Sequence, residues 1–243
     1  MHQRMQRGSM ARAASADPMS ITSHPNTSQT ADTTILAAPG EIQIHLRLWT
    51  EDAAHANTVL DEIIRSFQLA LGDRIFAYSA SSLEEVIADI LTRNRATVAV
   101  AESCTGGLLA ERLTRIPGSS NYFLGGVVCY SNERKSAWAD VPPELIAAKG
   151  AVSSEVAVAL AQGIRHSAGS TLGVGITGVA GPGGGSEEKP VGTVHIALAA
   201  PEGVKERAIA LPGDREMIRL YATQVALDMI RIHFLYNGNP PPR

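Results

Sequence analysis

The chain opens without a repeating apolar pattern and acquires one at residue 40. Residues 1–39 are rich in Ser, Thr, Ala, Gln and Met, and their apolar positions follow neither a helical nor a strand period. Such a segment cannot bury enough surface to offset its ordering entropy, and it reads as a disordered arm. From Gly40, GEIQIHLRLWT alternates Ile42, Ile44, Leu46 and Leu48 with more polar neighbours, the period of a half-buried strand. Val59, Ile63, Phe67 and Leu71 then recur at multiples of four, an amphipathic helix, and IFAYS after Gly72-Asp73 reads as a second strand. Residues 40–80 are therefore expected to form a small β-α-β element. Ser81-Ser82-Leu83-Glu84 opens a capped helix striped by Leu83, Val86, Ile87 and Ile90. Beyond it TVAVAES is an apolar strand, residues 108–114 a helix and GGVVCY a strand. Helical patterns follow Pro142-Pro143 and run from Ser154 to Ser167, and LGVGITG is a buried strand. TVHIALAA and VKERAIAL flank the Pro201-Glu202-Gly203 turn, residues 214–234 form a terminal helix, and the tail, residues 237–243, should fray. Alternating strands and helices argue for a layered α/β domain with its sites in loops at the strands' C-terminal ends.

Composition narrows the class. At 243 residues, 44% hydrophobic and 19% charged, the chain can bury a sizeable core, and no run approaches the roughly 20 apolar residues of a membrane span. The arm lacks the continuous apolar centre of a signal peptide. Two cysteines, Cys104 and Cys129, suit a reducing cytosol, so a cytoplasmic location is expected. A net charge of -3 supplies no drive toward nucleic acid or a membrane surface, which leaves a small molecule as the expected partner. No two of the seven histidines stand at the i, i+4 spacing that pairs imidazoles on a helix, and no metal is expected.

Four segments carry chemistry. Glu102-Ser103-Cys104-Thr105-Gly106-Gly107 follows a strand and starts a helix; its amides suit a phosphate or an oxyanion, and equally an ordinary cap. In Tyr130-Ser131-Asn132-Glu133-Arg134-Lys135, a Tyr and a Lys five positions apart can supply a hydroxyl and a base, or simply a solvated helix start. A lysine base must be neutral near pH 7, which requires roughly 4 kcal/mol of desolvation or like-charge repulsion, to which Arg134 could contribute. The loop from Gly175 to Thr193 is dense in glycine, as an anion-binding nest or a surface hairpin would be, and it has neither P-loop nor dinucleotide spacing. Gly213-Asp214-Arg215 can cap the last helix and present a guanidinium to a phosphate, with Arg219 one turn on.

Together AESCTGG, YSNERK, ITGVAGPGGGSEEKPVGTV and GDR resemble, in order and spacing, the C-terminal domain of the competence/damage-inducible CinA family, over residues 82–236. The segment 40–80 resembles what precedes this domain in longer members. Their large molybdopterin-binding-like N-terminal domain has no counterpart here, so the likeness is to a truncated or stand-alone form and that domain's pyrophosphatase activity is not carried over. The expected fold is a three-layer α/β/α domain with a mixed sheet, residues 81–236, after a small α+β segment. The resemblance implies nicotinamide-nucleotide amidase activity in the pyridine nucleotide cycle, with Ser103 as nucleophile, Lys135 as base and Tyr130 beside them. Thr177 and Arg215 match positions that the resemblance implicates in holding substrate, and Glu102, Thr105, Gly106, Gly107 and Gly178 complete the expected substrate site; no cofactor is expected, and a homo-oligomer is, because α/β enzymes of this size commonly associate. A non-catalytic pyridine-nucleotide-binding or competence-associated partner domain is the alternative.

Overall fold

A computed structural model describes residues 31–236. The expected arm over residues 1–30 and the frayed tail over 237–243 lie outside the described residues. The chain divides into two compact units, residues 1–66 and 67–243.

In the first unit, β1 (Asp32–Ala38) pairs antiparallel with β2 (Glu41–Arg47), in register from Asp32 opposite Arg47 to Ala38 opposite Glu41. The two residues left between them are Pro39-Gly40, a turn pair. This corrects the sequence reading twice. Residues 32–38 belong to a strand rather than to an arm, and the order is β-β-α, because IFAYS at 75–79 is irregular. The partner of the alternating strand lies before it, across the Pro-Gly turn. Helix α1 (Ala53–Leu71) starts where the Asp52 carboxylate accepts the Ala54 and His55 amides at 2.9 and 3.2 Å, and it buries no residue completely.

The second unit is built on a five-stranded sheet ordered β4-β3-β5-β6-β7. Its strands are β3 (Val98–Glu102), β4 (Phe123–Val128), β5 (Leu172–Gly178), β6 (Thr193–Ala200) and β7 (Gly203–Ala210). β4, β3 and β5 run parallel, while β6 and β7 are antiparallel additions, so the sheet is mixed. Alternation sorts the side chains into two cores. Val98, Val100, Val174, Ile176, Val194 and Ile196 face α2 (Leu83–Arg93), α3 (Leu108–Thr114) and α7 (Arg215–Leu235). Ala99 and Ala101 face α4 (Asn132–Ala139), α5 (Pro143–Lys149) and α6 (Ser154–Ala168). The unit is the expected three-layer α/β/α domain. Among the described residues no helix is long and apolar enough to cross a membrane.

Side-chain caps set the starts of α2 and α7, as the sequence implied. Ser82 and Glu85 form a reciprocal capping box on α2, and Asp214 accepts the Met217 amide at 3.0 Å on α7. Buried Arg112 ties three helices together by donating to Glu84, Thr223 and Gln224 at 2.8, 2.9 and 2.6 Å.

Missing side chains matter as much on the opposite face. Gly175 of β5 lies directly under α6, where a β-carbon would overlap the Ala157 carbonyl and stand 2.8 Å from the Leu160 Cβ. At Gly163 of α6 the obstacle would be the Ala139 carbonyl, at the end of α4. Replacing Gly175→Ala should cost about 2 kcal/mol or more in urea unfolding, because both obstacles belong to one packed helix. Gly183→Ala, where a β-carbon meets nothing within 4 Å, should stay within about 0.5 kcal/mol. Equal stability of the two variants would show that α6 can retreat from the sheet.

Candidate active site

Strand β3 delivers the chain to a turn, residues 103–107, and Glu102 holds that turn from below. Glu102 is 1% exposed, and its carboxylate accepts the amides of Gly107 and Leu109 at 3.1 Å and of Ala110 at 2.8 Å. Gly106 and Gly107 take φ of +60° and +93°, where a β-carbon would be strained. Glu102, expected to touch substrate, thus has both oxygens engaged in closing the turn.

The strand register brings the predicted residues into one row. Glu102 pairs with Val128 of β4 and Ile176 of β5, and Thr177 pairs with His195 of β6. The ladder continues one step further, since the Cys129 amide donates to the Glu102 carbonyl at 2.7 Å and the Ser103 amide to the Ile176 carbonyl at 3.0 Å. Cys129, Ser103, Thr177 and His195 therefore follow one another across the sheet, about 4.8 Å per strand. Alternation turns Ser103 toward the face of α4, α5 and α6.

Lys135 reaches the same row from α4, which Ser131 caps by accepting the Arg134 amide. It is 2% exposed and donates from Nζ to the Cys129 carbonyl at 3.1 Å. Burial pushes its ammonium below the ordinary value of 10.5, against the opposing pull of Cys129, Cys104 and Glu133. Arg134 plays no part in that shift; it lies over the Trp138 ring at 5.0 Å. Ser103 Oγ makes no hydrogen bond among the described residues, and Lys135 is anchored one strand over, on the Cys129 carbonyl.

Cys104, beside the serine, is a buried thiol whose surroundings disfavour the thiolate. Burial pushes its thiol up to about 11, with Glu102 adding to the effect and Lys135 and Arg215 opposing it. Cys129 is also a buried free thiol, raised by burial.

Around this centre the other predicted residues separate. Tyr130 is 58% exposed, and its hydroxyl accepts from Arg215 Nη2 at 2.9 Å, while Arg215 Nη1 donates to the Gly181 carbonyl at 2.9 Å. Both partners are neutral oxygens, so the guanidinium keeps its charge at the rim. The Thr177 hydroxyl donates to the Ala151 carbonyl at 2.7 Å, and Gly178 packs against Thr193 and Val194 with no room for a side chain. Thr105 is wholly buried and its Oγ1 has no partner among the described residues, so its side chain is inside the fold. The Gly106 amide donates to the Ser103 carbonyl at 3.1 Å and the Gly107 amide to Glu102, which removes both from the list of oxyanion donors.

Several site features escaped the sequence. Arg219, weighed only as a phosphate ligand, donates from Nε and Nη2 to the Thr105 carbonyl at 3.0 and 2.7 Å. The carbonyls of Cys129 and Gly181 have no residue signature at all. Ser154, His195 and Glu206 cluster beside Thr177, and the pairing of β5 with β6 was the signal that could have found them. Ser154 and Glu206 both meet His195 at Nδ1, so the three do not make a serine-histidine-acid relay. No group of three or more His, Cys, Asp or Glu among the described residues could hold a metal.

The CinA C-terminal domain model matches residues 80–234, and those residues include every motif of the row and its rim. The chain belongs to the CinA C-terminal domain family. A CinA-like protein of Koribacter versatilis is 52% identical over 200 residues, 82% of this chain and 48% of that protein. One of Acidobacterium capsulatum is 49% identical with the same coverage. The chain spans about half the length of these relatives. The crystal structure of the competence/damage inducible protein CihA of Agrobacterium tumefaciens matches with a TM-score of 0.60 and 39% identity over 64% of this chain and 97% of that one. A CinA superfamily protein of Escherichia coli matches at 0.60 with 26% identity, covering 66% and 97%.

A thiol raised to about 11 is ionised in about one copy per thousand at pH 8. Iodoacetamide should therefore alkylate Cys104 of the folded CinA domain at least about 100-fold more slowly than a free cysteine, measured by mass spectrometry. Alkylation at the free-thiol rate would restore the cysteine as a candidate nucleophile.

Proposed function

We propose that this CinA domain hydrolyses the carboxamide of nicotinamide mononucleotide to nicotinate mononucleotide and ammonia. The observation that carries the reading is Lys135: a buried amine lowered by burial alone and anchored to the neutral carbonyl of Cys129, one strand over from Ser103 in the row. A neutral amine keeps one lone pair and two N–H bonds. One N–H serves the Cys129 carbonyl, and that anchor leaves the lone pair free to take the Ser103 proton.

Ser103 Oγ attacks the carboxamide carbon as its proton passes to Lys135 Nζ. The tetrahedral oxyanion needs a donor, and with the Ser103, Gly106 and Gly107 amides engaged, the amide of Cys104, next to the nucleophile, takes that role. Collapse breaks the C–N bond, Lys135 returns the proton to the departing nitrogen, and ammonia leaves an acyl ester on Ser103. Water, deprotonated by the same amine, then attacks the ester and releases the carboxylate and the serine hydroxyl. Arg215, whose partners are neutral oxygens, provides the charge for the 5′-phosphate at the rim, with Tyr130 beside it.

One observation favours the competing reading of a non-catalytic pyridine-nucleotide binder: the Lys135 Nζ donates to Cys129 rather than to Ser103. Ammonia release from nicotinamide mononucleotide separates the two. Ser103→Ala and Lys135→Met should each lower kcat by roughly 10³-fold or more while the nucleotide still binds in calorimetry. Binding by the wild type without ammonia release would establish the binder.

The same lysine sets the pH dependence. Losing its proton creates the base, so kcat/KM should rise with pH along a limb whose midpoint lies below 10.5. A profile flat from pH 6 to 10 would remove Lys135 from the base role.

A further inference from the structure

The guanidinium of Arg219 is half-buried on α7, and both of its recorded bonds end on one atom, the carbonyl oxygen of Thr105. That oxygen lies 114 residues away in sequence and two residues beyond the serine. The Leu108 amide shares it at 3.3 Å. Arginine forks are suited to two oxygens of a carboxylate or phosphate, so a fork closed on one peptide carbonyl is engaged with the fold rather than awaiting a ligand.

The bond has a direction. The peptide unit whose carbonyl accepts from Arg219 also carries the Gly106 amide, which donates to the Ser103 carbonyl at 3.1 Å. The Ser103 carbonyl in turn belongs to the peptide unit that carries the Cys104 amide. A guanidinium charge thus heads a chain of two peptide groups that ends on the donor assigned to the oxyanion, and each hydrogen bond in such a chain polarises the next.

We infer that Arg219 is a positioning residue, which holds the 103–107 turn in place and polarises the Cys104 amide toward the developing oxyanion. The inference rests on the amidase reading for its chemistry and on the turn alone for its geometry. Arg215, one helical turn earlier, belongs to the rim and the phosphate; Arg219 belongs to the transition state. Arg215 and Arg219 should therefore affect different kinetic constants.

The experiment compares wild type, Arg215→Ala and Arg219→Ala in ammonia release from nicotinamide mononucleotide, together with amide hydrogen exchange of the ligand-free protein. Arg219→Ala should lower kcat by 10- to 100-fold with KM changed less than about threefold, and added guanidinium at millimolar concentration should recover part of kcat. Arg215→Ala should instead raise KM. In exchange, Arg219→Ala should accelerate the Gly106 amide at least tenfold while the β5 amides keep wild-type protection, which separates release of the turn from loss of the fold. A raised KM at unchanged kcat would make Arg219 a phosphate ligand, and an unchanged Gly106 amide would show that it holds nothing. If the wild type releases no ammonia, the amidase reading fails, and the Gly106 amide alone decides whether Arg219 holds the turn.

Discussion

A carboxylate buried beneath a turn is the constraint on which the site depends. Glu102 ends β3 facing the α2, α3 and α7 layer, and three backbone amides of the following turn and helix close on its oxygens. Removing it would leave three amides without that partner, and the buried Leu109 N–H alone would cost about 1–3 kcal/mol. Because successive residues of a strand point to opposite faces, anchoring Glu102 on one side obliges Ser103 to emerge on the other. That is the face of α4, which carries Lys135. A carboxylate engaged with backbone amides thereby sets the face on which the proposed nucleophile emerges.

That layer handles charge in an unusual way. Lys135 lies among thiols and a carbonyl; Cys129, Cys104 and Glu133 favour its charged form, and burial prevails. On α7, Arg215 and Arg219 are held by neutral oxygens, while Arg231 pairs with Asp228. The positive groups around the row are thus not neutralised by the fold, an arrangement suited to a substrate with a phosphate at one end and a transient oxyanion at the other.

Much of this organisation was legible in the sequence. The runs TVAVAES, LGVGITG and TVHIALAA are unbroken apolar segments bounded by turns, so their strands were plain, and the Ser82 and Asp214 caps marked helix starts. Ser103, Lys135, Tyr130 and Arg215 were readable because each is a side chain in a distinctive string. What escaped was of another kind. Strand β1 was hidden by its Thr and Ala content, although Pro39-Gly40 marked the turn. Glu102 reads as one more polar residue in a polar motif until its partners are seen to be backbone amides. The anchors of Lys135, Arg215 and Arg219 are carbonyls of Cys129, Gly181 and Thr105, and every residue in the chain has a carbonyl. Only the fold selects which ones matter.

The contact of Gly163 with the Ala139 carbonyl bears on how any survey of substitutions in this domain should be interpreted. Helix α4 is the mount of the lysine, and its end rests against α6 at a point where there is no methyl group. Any side chain at residue 163 would lift the mount and tilt Lys135 away from the row. A position with no side chain at all would then score as intolerant as one that carries a reacting group. In this fold, sensitivity to replacement reports the tolerances of the mounting as faithfully as it reports the reacting groups.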